Sequence, residues 1–210
     1  MPIKKAKCKI CRRIGEKLFL KGDKCFSPKC PLLRKPYPPG DPQGKTQKKL
    51  SEYGRQLRET QKLKKMYGLS DRHFKKIVRE VLKKRGKEDV SDLLLRRIEK
   101  KIFNVIYRVG LAPSRDAARQ LISHGHFCLN GKRVTVPSIE VKVGDEISLR
   151  EGSKKLTYFK NTLPLVKTEN IPSWLSFDKE KCVIKVIDEP KVDDLRAKID
   201  VPLILARYSR

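Results

Sequence analysis

The apolar residues of this chain change their spacing at one place, and that change limits the folds open to it. Up to His124-Gly125 they recur at helical spacing; beyond it Phe127 and Leu129 alternate with polar neighbours, lead into Asn130-Gly131, and return as Val134 and Val136 before Pro137. Alternation on both sides of Asn-Gly marks a two-residue hairpin, because both central residues of such a turn take positive φ. Val143-Gly144-Asp145-Glu146 reads as another turn, with Ile147 and Leu149 continuing a strand. Helices ahead of the switch and a hairpin after it make the fold class α+β.

The helical part has a regular grammar. Ser51 is placed as an N-cap, followed by an apolar side of Tyr53, Leu57 and, less regularly, Leu63 and Met66. Ser70 caps the next helix, Leu69 is placed to staple onto Phe74, and Ile77, Val78, Val81 and Leu82 continue its buried side until Gly86. Val90-Ser91-Asp92 opens a third helix whose apolar residues Leu95, Ile98, Ile102, Val105, Ile106 and Val109 run unbroken to Gly110. Pro113-Ser114 caps a shorter one carrying Ala117, Ala118, Leu121 and Ile122. Residues 31–46 hold five prolines and two glycines and read as an extended linker. Near the C-terminus, Trp174 reads as a packing anchor, 182–187 as a strand, 192–199 as a short helix and 203–206 as an apolar end.

Charge narrows the function. The chain carries 51 Lys and Arg against 24 Asp and Glu, a formal +27 on 210 residues, which calls for an anionic partner. Nucleic acid fits best. A membrane surface would need a basic amphipathic helix, a lipidation signal or a long apolar segment, and no run approaches the ~18–20 apolar residues of a spanning helix. The basic N-terminus lacks an apolar stretch behind it, so the reading is a cytosolic, reducing compartment without disulfides. Arg55, Arg58, Lys62 and Lys65 recur at spacings of 3, 4 and 3 as one stripe. A stripe of this kind is either a solvated face or a phosphate track, and the overall charge favours the second. Arg115 and Arg119 stand one helical turn apart, flanked by Gln120, His124 and His126, with Lys132 and Arg133 just past the hairpin tip. Cations on one helix and one hairpin could straddle two phosphate tracks. His124 and His126 also invite a metal reading, but with no cysteine or carboxylate beside them, hydrogen bonding to backbone or RNA fits better.

Four of the six cysteines lie in the first thirty residues. Cys8-x2-Cys11, thirteen residues, and Cys25-x4-Cys30 bring two thiolate pairs together across a loop, a spacing suited to one tetrahedral, structural zinc. An iron–sulfur cluster takes the same ligands. The surrounding Lys and Arg would stabilise thiolates and lower their pKa, and so polar a segment would not order itself without a staple. Cys128 and Cys182 lie in apolar alternating stretches and read as core residues.

At 108–115 (RVGLAPSR), 118–126 (ARQLISHGH) and 130–134 (NGKRV) the chain resembles the small RNA-binding module named after small-subunit ribosomal protein four. The module occurs in other RNA-binding proteins too, but the flanks 50–58, 61–68, 172–181 and 208–210 resemble the ribosomal protein family itself, and the four cysteines are similar to its zinc-bearing bacterial versions. The resemblance implies a structural component of the small ribosomal subunit that binds the 5′ domain of 16S ribosomal RNA early in assembly. It also implies contact with neighbouring proteins three and five, a place by the messenger entry path, an effect on decoding accuracy, and repression of its own messenger in some members.

The expected organisation is a zinc-stapled arm and Pro-rich linker at 1–46, a mainly helical RNA-binding domain from 47–94 with 160–210, and a helix-helix-hairpin module at 95–159. The expected RNA contacts are Lys45, Lys48, Lys49, Arg55, Arg58, Lys62, Lys65, Arg97, Arg108, Ser114, Arg115, Arg119, Gln120, His124, His126, Lys132 and Arg133, with no small-molecule substrate. An RNA-modifying enzyme carrying the same module is the main rival, but neither segment outside the module is long enough for a catalytic domain with a pocket. Zinc-dependent DNA binding would place a recognition helix close behind the cysteines, where a Pro-rich linker stands.

Overall fold

A computed structural model describes residues 6–40, 50–84, 89–190 and 199–209. The chain divides into two compact units, Met1–Ser91 with Asp193–Arg210, and Asp92–Val192.

In the first unit α1 (Lys7–Ile14) carries Cys8 and Cys11, a single 3₁₀ turn (Gly22–Cys25) carries Cys25, and α2 (Pro31–Arg34) follows Cys30. The expected linker therefore begins as a helical turn, with Pro31 at a first-turn position that has no need of its missing N–H. The two long helices are α3 (Glu52–Met66) and α4 (Asp71–Leu82). Each starts where a serine was placed as cap: the Ser51 hydroxyl accepts from the Gly54 N–H and Ser70 from His73. The Gly86 stop lies outside the described residues. The C-terminal apolar stretch is α10 (Val201–Tyr208), which packs on α3 and touches α4, its Tyr208 ring edge-on to Phe74 at 5.8 Å.

The buried side of α3 differs from the expected one. Tyr53 is 58% exposed, whereas Gln56, Thr60, Leu63 and, just past the helix, Tyr67 are buried. Two of these four are polar, so a scan for apolar residues follows the wrong line; Thr60 escapes the cost of burial by donating its hydroxyl to the Gln56 carbonyl at 2.7 Å.

The second unit is an antiparallel five-stranded sheet covered by helices. Its strands are β1 (Phe127–Leu129), β2 (Lys132–Val134), β3 (Glu146–Leu149), β4 (Leu175–Asp178) and β5 (Val183–Val186), in spatial order β2-β1-β3-β5-β4. Asn130 and Gly131 take φ of 49° and 78°, as the Asn-Gly reading requires. Phe127, Val134, Ile147, Leu149, Leu175, Phe177, Ile184 and Val186 are buried together in one core. Against them pack α6 (Ile102–Val109) and α7 (Arg115–Ser123), with Phe159 from α9 (Thr157–Thr162) and Trp174; the short α8 (Glu151–Lys154) precedes α9. Cys182 is buried as expected, but Cys128 is only half-buried.

Two sequence expectations fail here. The helix expected from Val90 to Gly110 is two, α5 (Val90–Glu99) and α6, separated at Lys100-Lys101. Backbone pairing breaks it: Ile102 N–H donates to the Ile139 carbonyl at 3.0 Å and Val141 N–H to Lys100 at 2.9 Å. The apolar period runs straight through the break, so periodicity alone could not reveal it. Residues 160–190, expected with the helical domain, instead belong to the unit of the hairpin, because β5 pairs with β3 through Ile147 and Ile184 and β4 closes the sheet. The helix expected at 192–199 lies outside the described residues but for Ile199.

Candidate nucleic-acid interface

The expected cations separate into those the fold consumes and those it leaves at the surface. On α3, Arg55 is exposed, but Lys62 is buried and pairs with Glu16 at 2.7 Å, and Arg58 donates to the Ile14 carbonyl at 2.8 Å, where α1 ends. Lys65 is half-buried. The stripe thus fastens α1 to α3 as much as it faces water. Lys64 is 2% exposed, pairs with Asp71, and has its pKa lowered by burial and then by neighbouring cations. Lys45, Lys48 and Lys49 lie outside the described residues.

A basic face that the sequence reading missed runs along α4. Arg72, Lys75, Lys76 and Arg79 are all exposed, and with Ser70 and His73 they line an open groove of about 480 Å³. Their spacing of 3, 1 and 3 was available in the sequence. It lay opposite the apolar residues used to place the helix.

In the second unit a polar network built on a buried carboxylate takes two expected RNA contacts, Arg108 and Arg115. The Glu99 carboxylate, with its side chain 3% exposed, accepts from Arg108 through Nη2 at 2.8 Å and Nε at 3.1 Å, and from Asn104 Nδ2 at 2.5 Å. Asn104 Oδ1 in turn accepts from Arg115 Nε at 2.8 Å, and the Arg115 guanidinium lies 4.5 Å from the Tyr107 ring centroid. Arg115, only 9% exposed, is therefore an internal strut and not the surface cation expected. Ser114 is also buried and caps α7 by accepting from the Ala117 N–H. Arg97 bonds Glu140 at 3.4 Å beside Lys101, which reaches the same carboxylate at 2.8 Å. Burial pushes the Glu140 pKa up, but the Lys101 and Arg97 contacts outweigh it and the net shift is downward.

The remaining residues converge where α7 ends and the hairpin begins. Gln120, His124, Lys132 and Arg133 are exposed. Arg133 folds across Gly125, a residue at φ +74° where any Cβ would meet the guanidinium at 2.2 Å, and its Nη2 donates to the His124 carbonyl at 3.3 Å. His124 and His126 stand 6.0 Å apart, and His126 Nδ1 lies 2.9 Å from Ser153 Oγ. The His126 pKa is lowered, first by burial and then by His124, Arg133 and Arg150. Arg150, exposed and anchored by its N–H to the His126 carbonyl, completes this face. No motif had pointed to it. Arg119 is intermediate: its guanidinium lies 3.9 Å from the Phe103 ring centroid, it pairs with Asp116 at 3.4 Å, and burial lowers its pKa.

The four N-terminal cysteines are gathered in the first unit, with Cys11, Cys25 and Cys30 buried and Cys8 half-buried. The Lys21 N–H donates to Cys25 Sγ at 3.4 Å. Burial pushes the Cys11 thiol up, and the other three cysteines push it further, against one backbone hydrogen bond from Leu18. Lys7 and Arg12, expected to lower the thiol pKa values, donate to the backbone carbonyls of Leu20, Lys35 and Tyr37, and the net shift at Cys11 is upward. Among the described residues no three His, Cys, Asp or Glu side chains are arranged to hold a metal ion. Nor, among them, is any helix long and apolar enough to cross a membrane.

Residues 3–99 match the family described as Ribosomal protein S4/S9 N-terminal domain, and residues 100–147 the S4 domain. The chain is 43% identical over 203 residues to small ribosomal subunit protein uS4 of Thermoanaerobacter sp., covering 97% of this chain and 96% of that protein. It is 42% identical over 203 residues to uS4 of Thermus thermophilus, with the same shares. Against uS4A of Bdellovibrio bacteriovorus it is 42% identical over 208 residues, 99% of each. Similarity of this degree from end to end, on a module whose hairpin and capped helices the structure reproduces, means that the chain belongs to the family of small ribosomal subunit protein uS4.

Proposed function

We propose that this chain is a structural component of the small ribosomal subunit, cytoplasmic and not an enzyme, that binds 16S ribosomal RNA through its 5′ domain early in assembly. Family membership along the whole chain carries this reading. The physical means are the exposed cations of α4 and the face of Gln120, His124, Lys132, Arg133 and Arg150, held on capped helices and a tight hairpin. Arg55, Arg119 and His126 add to these surfaces. Arg108, Arg115 and Ser114 act indirectly, by fixing α5, α6 and α7. Proteins three and five and the messenger near its entry path are the partners proposed with it.

A zinc ion held by Cys8, Cys11, Cys25 and Cys30 is part of the same proposal. The Cys-x2-Cys and Cys-x4-Cys spacing supports a four-sulfur donor set for zinc, and so do the burial of three of these thiols and the upward push that the other three cysteines exert on the Cys11 thiol. Bound there, the metal would supply a structural cross-link and no open coordination position. Metal analysis of the purified chain should give one zinc, and Cys25→Ser should lose it and disorder the arm while leaving the hairpin unit folded. A chain without stoichiometric metal would remove this part alone.

The RNA reading is tested by competition titration at several salt concentrations. Affinity should fall steeply with salt, since phosphate contacts release counterions. At matched salt the folded 5′-domain RNA should still outcompete the same RNA unfolded by on the order of 10³-fold. Equal competition would refute shape recognition.

A further inference from the structure

The four-cysteine arm exposes an aromatic ring that neither metal binding nor a phosphate track uses. Phe26 is 70% exposed. Its ring stacks on that of Phe19, with centroids 5.0 Å apart and planes at 29°, so one face of Phe26 is covered and the other meets solvent. The backbone holds both rings in place. Phe19 sits at φ 51°, a left-handed conformation that a bulky residue adopts only when its surroundings impose it. The Phe26 and Ser27 N–H groups both donate to the Asp23 carbonyl, at 3.0 and 3.2 Å, and the Ser27 hydroxyl donates to Lys24. Lys21, Lys24 and Lys29 are exposed in the same loop, where Asp23 is the one acid between residues 17 and 30.

We propose that the Phe19–Phe26 stack is a platform on which one unpaired nucleobase of the bound RNA stacks; this rests on the RNA-binding reading above. A flat ring on an exposed, cationic loop suits a base better than an apolar protein surface. A base brings its own phosphates to the three lysines, whereas an apolar partner would have to desolvate them. The open face of Phe26 extends a stack that already exists, so binding a base needs no rearrangement. Every base has a π-face, so the site favours unpaired nucleotides over paired ones without selecting a sequence.

The test uses the full chain and 5′-domain 16S RNA at matched salt. Phe26→Leu keeps an apolar side chain but removes the ring, and should weaken binding by about 5- to 150-fold, the range for losing one base–aromatic stack, with the salt slope unchanged. Phe26→Trp should retain affinity, and its added fluorescence, read as the difference from the parent chain, should be quenched on RNA binding. Metal content and circular dichroism equal to the parent confirm that both variants keep the arm. Parent-like affinity of Phe26→Leu, or no quenching of Phe26→Trp in saturated complex, overturns the platform while leaving RNA binding intact. A loss in Phe26→Leu with a salt slope shallower by about one charge also overturns it, since the ring would then serve only to place a lysine. A parent chain that fails to bind the RNA overturns the reading beneath.

Discussion

Removing the Glu99 carboxylate should unlock the hairpin unit, and the size of the effect follows from its partners. The side chain accepts two hydrogen bonds from Arg108 and one from Asn104 while 3% exposed. Charge-assisted bonds contribute about 1.5–3 kcal/mol each, but the Arg108 side chain is 30% exposed and water can take over part of its charge. Glu99→Ala also relieves the desolvation of a buried carboxylate, which offsets some of the loss. The net expectation is about 3 kcal/mol. Arg108→Ala should cost as much or more, because it leaves the buried carboxylate with Asn104 as its neutral donor, and Glu99→Gln about half as much. The single tryptophan, Trp174, is 4% exposed in the core of this unit, so its fluorescence during urea unfolding reports this unit directly. With a slope of about 2 kcal/mol/M for a unit of this size, the midpoint should fall by about 1.5 M. A Glu99→Ala midpoint within about 0.3 M of the parent would refute the claim that Arg108 and Arg115 act as struts.

Gly125→Ala should cost about 1–2 kcal/mol from its positive φ and, by evicting Arg133 from its seat, should weaken RNA binding as much as Arg133→Ala; a titration of both variants that separates them would refute the seating. His126 titrates below its ordinary 6.5 because burial, then His124 and the cations Arg133 and Arg150, oppose its charge, so it contributes stability above that pH which is lost as pH falls through the lowered value. Phosphate beside it would cancel that repulsion, so RNA affinity should rise from pH 7.5 to 5.5 more steeply in the parent than in His126→Gln, measured at constant salt. Glu140, net depressed by Lys101 and Arg97 against its burial, should make Glu140→Gln lose stability near neutrality, with the difference from the parent vanishing as pH falls below the usual carboxylate range in acid titrations followed by Trp174.

The parts of the fold that were legible in the sequence are those decided by local chemistry. Ser51, Ser70 and Ser114 each accept the N–H three residues on, and Asn130-Gly131 turns as its φ preference requires. What escaped was decided by contacts distant in the chain. The break at Lys100-Lys101 is made by 139–141. The joining of β5 to the hairpin sheet is made by Ile184 opposite Ile147. Neither leaves a mark on apolar spacing. The candidate site shows the same division: Lys132 and Arg133 sit at a hairpin tip that local sequence defines, whereas the fate of Arg115 depended on Asn104 and Glu99, neither of which had been singled out.

The misassigned arginines and lysines share a cause that follows from composition. With 51 cations and 24 acids, most cations cannot find a carboxylate. The fold gives several of them backbone carbonyls instead. Arg58 bonds Ile14 at the end of α1, Arg12 bonds Lys35 and Tyr37, and Arg133 bonds His124 just past α7. Carbonyls at helix ends carry partial negative charge and lack intrahelical donors, so a cation there satisfies an acceptor and complements the dipole at once. In a chain of balanced charge such a contact adds little to what a carboxylate would supply. Here it lets cations knit loops to helices without consuming scarce acids, and Arg133 shows that a cation so held can stay at the surface. A cation fixed in this way loses less freedom when it meets a phosphate than one on a loose side chain, so the contacts that order the protein also prepare its surface for RNA.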